Sequence, residues 1–180
     1  MNRRLSTVWR GARRPRTWRV VIGWSELLGA ALGLTVLALG VMAAGARNLG
    51  WRPLPALAFY ALSGVAGWRL LRGQRGGVEL SLAVQAAQVA WLWLPGLVFR
   101  MAAGLALIPL YTNRGGLDAI VGGTAAFELA VAPADDRVGL GLNLFALAAV
   151  VALTALVRSE RAAASAGPRP ASDEPVTPAL

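Results

Sequence analysis

Five polar side chains that interrupt long apolar stretches are the residues of this sequence best placed to do chemistry. They are a carboxylate, a guanidinium and three amides: Glu26, Arg69, Gln85, Gln88 and Asn143. Inside an apolar layer such groups must be paired, hydrogen-bonded or hydrated, and ionisable groups there often mark an ion or substrate pathway. The five residues therefore define a candidate intramembrane polar pocket, for which packing and transport are both open interpretations.

Glu26 occurs at helical spacing with small residues. Gly29 and Gly33 follow it along one helix face, and small residues of this kind let two helices approach closely. That face should point into a helix bundle, where the carboxylate needs a partner or a proton. Arg69 or Arg72 is the predicted ion-pair partner. The alternatives are proton or cation handling, and a glutamate that reaches the interface.

Gln85 and Gln88 belong to a stripe that begins at Ser81 and continues to Leu92 at helical spacing. Inside a bilayer their amides must bond to a neighbouring helix or to water. Asn143, on a later segment, is a candidate partner and also a candidate helix cap. Hydrogen bonding between helices and a hydrated path lined by the two glutamines both fit this pattern.

The residue types present exclude several kinds of catalytic site. The chain has no cysteine and no histidine, which excludes thiolate and histidine nucleophiles, structural zinc and histidine-ligated haem. No dinucleotide fingerprint or serine triad is present, and the glycine-rich GGLDAIVGG lacks the lysine of a phosphate-binding loop. We expect no enzyme activity, no cofactor and no metal site.

The composition indicates a polytopic membrane protein. Of the 180 residues, 56% are hydrophobic and 15% are charged, a balance too apolar for a typical soluble domain. Four apolar stretches predict transmembrane helices: 20–46, 54–71, 78–98 and 138–157. The predicted fold is an all-α membrane protein, a four-transmembrane-helix bundle over residues 20–157. The small residues 44–46 resemble a signal cleavage site, but the apolar run before them exceeds the ~7–15 residues of a signal peptide.

The segment 99–137 is predicted to form an outer loop that carries a small β-hairpin. Two weakly alternating stretches, 99–108 and 124–131, flank paired glycines and favour two antiparallel strands outside the membrane. An interfacial helix is the alternative for 99–110. Trp91 and Trp93, which precede this loop, are predicted to lie in the outer aromatic belt.

Arginine alone supplies the positive charge, and its distribution predicts an orientation. All 18 basic residues are arginine, and the net charge is +9. Seven lie in a basic arm, 1–19, three lie in the turn 69–75, and three lie in a tail, 158–180, that is predicted to be disordered. The positive-inside rule then places both termini in the cytoplasm, with the chain crossing a bacterial inner membrane several times.

The expected partners follow from this charge and from the small residues. The arm should contact anionic lipids of the cytoplasmic leaflet, or act only as an anchor for the first span. Nucleic-acid binding by its arginines and aromatics is the remaining interpretation, and we expect none. The small-residue faces could support a homo-oligomer or contact with another membrane protein.

The predicted function is non-enzymatic: an integral inner-membrane protein with an accessory, envelope or assembly role. The first alternative is a small transporter or channel that uses the polar pocket. The second is a lipid-modifying membrane enzyme, which is disfavoured because no base or nucleophile constellation is visible.

Overall fold

The computed structural model describes residues 15–44, 51–131 and 137–165. These residues form four α-helices and four β-strands, which in chain order are α1 Pro15–Ala44, α2 Leu54–Leu71, α3 Gly77–Ala87, β1 Ala90–Leu94, β2 Leu97–Thr112, β3 Gly116–Val131, β4 Gly139–Leu142 and α4 Leu144–Ser165. Most of the predicted basic arm and most of the predicted disordered tail lie outside the described residues.

Helices α1 and α2 form an antiparallel pair whose close approach depends on glycine. A Cβ on Gly67 of α2 would lie 2.6 Å from the carbonyl oxygen of Gly23 on α1. Pro53 and Pro55 stand at the start of α2, where the missing backbone donors cost little. By length and composition, both helices could cross a membrane, over Thr17–Ala43 and Leu54–Leu71.

The shorter helix α3 and the last helix α4 pack beside one end of this pair. At 1.5 Å per residue, the 11 residues of α3 reach only about 16 Å. All four helices contribute buried side chains to one core at this end: Ile22, Leu70, Val78, Ala149 and Leu153. Arg19 of α1 also forms an ion pair with Glu160 of α4, so the start of α1 and the end of α4 are neighbours.

Strands β1 and β2 are joined by a two-residue turn at Pro95 and Gly96. Leu94 pairs with Leu97 across it, and Gly96 has a φ of 83°. Proline followed by a residue with positive φ is the signature of a type II turn. The same two residues that interrupt the predicted third span therefore form a β-turn.

Strand β2 bends strongly, because its pairings cannot all hold in a flat sheet. Its first residues pair antiparallel with β1 and its last residues pair antiparallel with β4, while β1 and β4 also pair antiparallel with each other. Three straight strands cannot all be antiparallel to one another, so one of them must reverse its direction along its length. Gly104, with a φ of 113°, lies in the middle of β2, and Gly122, with a φ of 132°, lies nearby on β3.

One face of this curled sheet holds its own core. Six buried side chains from β1 and β2 form it: Trp91, Trp93, Val98, Ala102, Ala106 and Ile108. The rings of Trp91 and Trp93 meet edge to face with centroids 6.2 Å apart, an arrangement that aromatic pairs favour. The prediction that these tryptophans lie in an interfacial belt is therefore wrong, since both are buried in the sheet.

The prediction of an all-α bundle of four transmembrane helices is wrong. The described chain is mixed α/β, with a four-stranded antiparallel sheet and two helices that are both long and apolar enough to span a membrane. The predicted third span, 78–98, divides into α3, β1 and the Pro95-Gly96 turn, and the predicted fourth span begins with β4. The predicted strands 99–108 and 124–131 lie within β2 and β3, which pair over all 16 residues of each strand.

Candidate functional site

The structure brings most of the predicted polar residues together where the helices meet the sheet. Glu26 lies on α1, Gln85 lies on α3, Gln88 follows the end of α3, and Asn143 precedes α4. Their side chains are 0 to 1% exposed. Arg69 is different, because it lies on the exposed side of α2 near the arginine-rich turn. We call the buried set, together with Ser25 and Ser81, the polar cluster.

Glu26 is bonded by neutral side chains of α3. The Ser81 hydroxyl donates to Oε2 over 2.8 Å, and the Gln85 amide donates to Oε1 over 3.0 Å. The predicted ion pair with Arg69 or Arg72 is not formed in the described structure, where Arg72 stacks 4.0 Å from the ring centroid of Trp68. The carboxylate thus ties α1 to α3 without a basic partner.

Gln88 and Ser25 bond the backbone of β2 along its second edge. The Ala103 amide donates to Gln88 Oε1 over 2.7 Å, and the Leu105 amide donates to Ser25 Oγ over 2.8 Å. Between the residues that pair with β1 and those that pair with β4, this edge has no strand beside it among the described residues. Side chains therefore supply the bonds that a neighbouring strand would otherwise make.

Trp91 completes this set of edge contacts. Its indole Nε1 donates to the Met101 carbonyl oxygen over 3.0 Å. In an antiparallel ladder, alternate residues direct their backbone groups to opposite edges. Met101, Ala103 and Leu105 are alternate residues, so three successive outward positions of β2 are bonded by Trp91, Gln88 and Ser25.

The contact between α1 and β2 is backbone against backbone, and glycine makes it possible. A Cβ on Gly29 would lie 1.9 Å from the backbone nitrogen of Gly104. A Cβ on Gly33, one turn later, would lie 2.2 Å from the ring of Tyr60 on α2. The small-residue face of α1 is thus covered within the chain, by β2 and by α2.

Asn143 occupies the corner where β4 becomes α4. Its Oδ1 accepts a hydrogen bond from the Ala146 amide over 3.3 Å, which is the geometry of a helix N-cap. The backbone N–H of Asn143 donates to the Val89 carbonyl oxygen over 2.8 Å, which links the start of α4 to the end of α3. The predicted cap is therefore present, while the Asn143 Nδ2 is buried without a hydrogen-bonded partner among the residues that the structure describes.

Two cavities of the described chain lie away from the centre of the polar cluster. A groove of about 370 Å³ lies between α1 and α2 near Arg52 and Phe127. A smaller cleft of about 120 Å³ lies between α1 and the sheet, beside Leu28 and Leu105. Neither is lined by Glu26, Gln85 or Gln88, so these side chains act as hydrogen-bonding groups between packed elements.

The chemistry available to the cluster is limited by its composition. Within residues 15–44, 51–131 and 137–165, no three His, Cys, Asp or Glu side chains gather as a group that could hold a metal ion. Sequence reasoning missed Ser25 and Trp91 as members of the site. Ser25 adjoins Glu26 within the apolar stretch 20–34 of α1, and this polar pair was the available signal. For Trp91 no sequence signal distinguishes a strand residue from an interfacial one.

Comparisons with known proteins give no relative. No family model matches the sequence, and neither a curated protein nor a solved structure matches it significantly.

Proposed function

We propose that this chain is an integral protein of the bacterial inner membrane with a non-enzymatic accessory or assembly role. Its working part would be the curled sheet, which the helices hold rigidly at the depth of the membrane interior. The observation that supports the proposal is that the polar cluster forms hydrogen bonds between packed elements. Its oxygen atoms accept bonds from Ser81, Gln85, Ala103 and Leu105, which join helices to one another and to the sheet.

Exposed apolar side chains support placement in a membrane. Along the outer side of α1 they recur about every four residues: Trp24, Leu28, Leu32, Val36, Leu39 and Met42, between 44% and 78% exposed. An apolar stripe about 27 Å long, at 1.5 Å per residue over these positions, matches the roughly 30 Å of a bilayer hydrocarbon core. In water, a stripe of this size would be a strong site of association.

Arginines at one end of the helices support an orientation. The turn after α2 carries Arg72 and Arg75, and the last turns of α4 carry Arg158 and Arg161. Arg19, at the start of α1, lies beside this turn. Its guanidinium is 3.7 Å from the position that a Cβ on Gly73 would occupy. Basic residues at one end favour the cytoplasmic side for that end.

Transport is the second candidate function, and one observation favours it. Glu26 is a fully buried carboxylate whose bonded partners in the described structure are both neutral. Intramembrane acidic residues commonly serve proton or ion pathways. A transport path would require water to reach the cluster, which makes accessibility the property to measure.

Single-cysteine variants test the proposal, because the chain has no cysteine of its own. Ser81→Cys reports on the polar cluster, Gln74→Cys reports on the arginine-rich turn, and Ala83→Cys reports on the exposed side of α3. We expect the protein to resist alkaline extraction from membranes. In inverted vesicles, a membrane-impermeant maleimide should label only Gln74→Cys.

Two results would contradict the proposal in different ways. Extraction of the folded protein by alkali would show that it is not integral to the membrane. Labelling of Ser81→Cys without labelling of Ala83→Cys would show that water reaches the cluster, and transport would become the better account.

A further inference from the structure

Strand β3 is the edge of the sheet, and one side of it has no strand beside it in the described chain. The strand order is β1-β4-β2-β3, so β3 pairs with β2 alone. It runs for 16 residues, from Gly116 to Val131, without a proline. A long edge of this kind is a ready template for pairing with another strand.

The hydrogen bonds of β2 determine which residues of β3 face outward. Ala103 and Leu105 direct their amides away from β3, so alternate residues of β2 make the bonds of the hairpin. Through the register, Leu105 is opposite Gly123 and Leu107 is opposite Val121. The backbone groups of Leu117, Ala119, Val121 and Gly123 therefore face the open edge. The Ala119 amide is consistent with this assignment, since it donates to the side chain of the preceding residue, Asp118 Oδ1, over 2.7 Å and not to β2.

The surroundings of this edge are apolar. Leu117 is 85% exposed and Val121 is 74% exposed. Across the hairpin, Tyr111 is opposite Leu117 and Leu107 is opposite Val121, which extends the same apolar surface onto β2. The cleft beside Leu105 and Gly123 then joins this surface to Leu28 and Leu32 of α1.

The packing of β2 on α1 sets the depth of β3. Gly29, which contacts the Gly104 backbone, lies near the middle of the candidate span Thr17–Ala43. Gly104 pairs with Thr124, so the adjoining part of β3 lies at the same level. At about 3.3 Å per residue, Gly123 and Val121 lie within roughly 10 Å of Thr124, inside the ~15 Å half-thickness of a bilayer hydrocarbon core. An edge that begins at mid-membrane depth cannot rely on water for its unpaired N–H and C=O groups.

We propose that β3 pairs antiparallel with β3 of a second copy of this chain, related by a two-fold axis near residues 119–122. This inference rests on the proposed membrane placement. Lipid acyl chains could cover the apolar side chains, but they cannot bond backbone groups, whereas an identical edge offers matching donors and acceptors. The position of the axis follows from charge. An axis at Asp118 would set two aspartates opposite each other, and one at Gly123 would set Asp118 opposite Glu128.

Disulfide trapping in native membranes tests this pairing. Single cysteines at Leu117, Ala119 and Val121 sample the edge, and Leu39→Cys, 61% exposed on α1, is the matched control. We expect oxidation to give dimers in high yield at Ala119→Cys or Val121→Cys, with a lower yield at Leu117→Cys and none at Leu39→Cys. The variants are also tested for alkaline extraction.

The outcomes separate this inference from the proposed function. Absence of dimers at all three β3 positions, in protein that resists extraction, would overturn the pairing and leave the membrane placement intact. Dimers only at Leu39→Cys would overturn it in favour of helix contact. If alkali extracts the protein, the proposed function fails, and the cross-linking yields still decide whether β3 pairs.

A backbone substitution gives a second, independent test. Val121→Pro removes an outward amide and leaves the hairpin bonds to β2, whereas Val121→Thr keeps the amide. We expect the proline variant to be monomeric in mild detergent and the threonine variant to be dimeric. Near-UV circular dichroism from the buried Trp91 and Trp93 verifies that both are folded. A folded, dimeric Val121→Pro variant would overturn the proposal.

Discussion

Replacing Gln88 by leucine should loosen the sheet from α3. Leucine has a similar volume but cannot accept a hydrogen bond from the Ala103 amide, which lies 2.7 Å from Gln88 Oε1 in the unmodified protein. Ala103 is 2% exposed, so water would not replace the lost partner. Leaving a buried donor unsatisfied costs about 1–3 kcal/mol. For a chain of this size each kcal/mol shifts Tm by roughly 2–4 °C, so a loss of ~2 kcal/mol lowers Tm by about 4–8 °C.

The assay is thermal unfolding of the purified protein in mild detergent, followed by tryptophan fluorescence. Of the seven tryptophans, Trp91 and Trp93 are buried beside β2, so their part of the fluorescence change reports on the sheet. The control is Ala86→Leu, an exposed position on α3, where a surface change should stay within about 0.5 kcal/mol. If Gln88→Leu unfolds within 1 °C (roughly 0.5 kcal/mol or less) of the unmodified protein, the assigned role of this side chain is refuted.

Three further substitutions test other contacts. Gly29→Ala places a Cβ 1.9 Å from backbone atoms of β2 and should cost about 1–3 kcal/mol in thermal unfolding, while Gly40→Ala, where the space is open, should be neutral or stabilising. Asn143→Ala removes the N-cap of α4 and should lower stability by ~1 kcal/mol, which helical circular dichroism on heating will measure. Glu160→Gln breaks a partly exposed ion pair with Arg19 and should change stability by less than about 1 kcal/mol; a larger loss would show that this pair is a major contact.

The sequence was informative where the local signals were unambiguous. Helices α1 and α2 follow from long apolar runs, and α2 begins and ends where predicted. The strands at 99–108 and 124–131 followed from alternation and paired glycines. The buried state of Glu26, Gln85 and Gln88 also fits the expectation that amides and carboxylates in apolar segments face the protein interior.

The prediction of a third span over 78–98 is wrong because the sequence of β1 hides its strand periodicity. In AWLWL, residues 90–94, both faces of the strand are apolar, so the alternation that marks a half-buried strand is invisible. Hydropathy alone then continues α3 through to Pro95. Its pairing with β2 across the turn, and with β4 about 50 residues later, makes this segment a strand.

Predicting the contacts of the polar cluster also requires long-range information about how the strands pair. Spacing placed Gln85 and Gln88 on one stripe of α3, but it could not show that they bond different partners. Gln85 bonds the Glu26 carboxylate, whereas Gln88 bonds the backbone of β2. The partner of Gln88 became available only because β2 bends away from β1 and β4, which leaves its second edge open between them.

The attachment of the sheet to the helices depends on side chains closing the second edge of β2. Amide hydrogen exchange in detergent micelles or nanodiscs measures this directly, since each bonded amide is protected until the local structure opens. We expect the Ala103 and Leu105 amides to exchange as slowly as that of Ala102, which bonds within the hairpin. In Gln88→Leu, exchange at Ala103 should accelerate while Ala102 stays protected. Fast exchange at Ala103 in the unmodified protein would contradict the account.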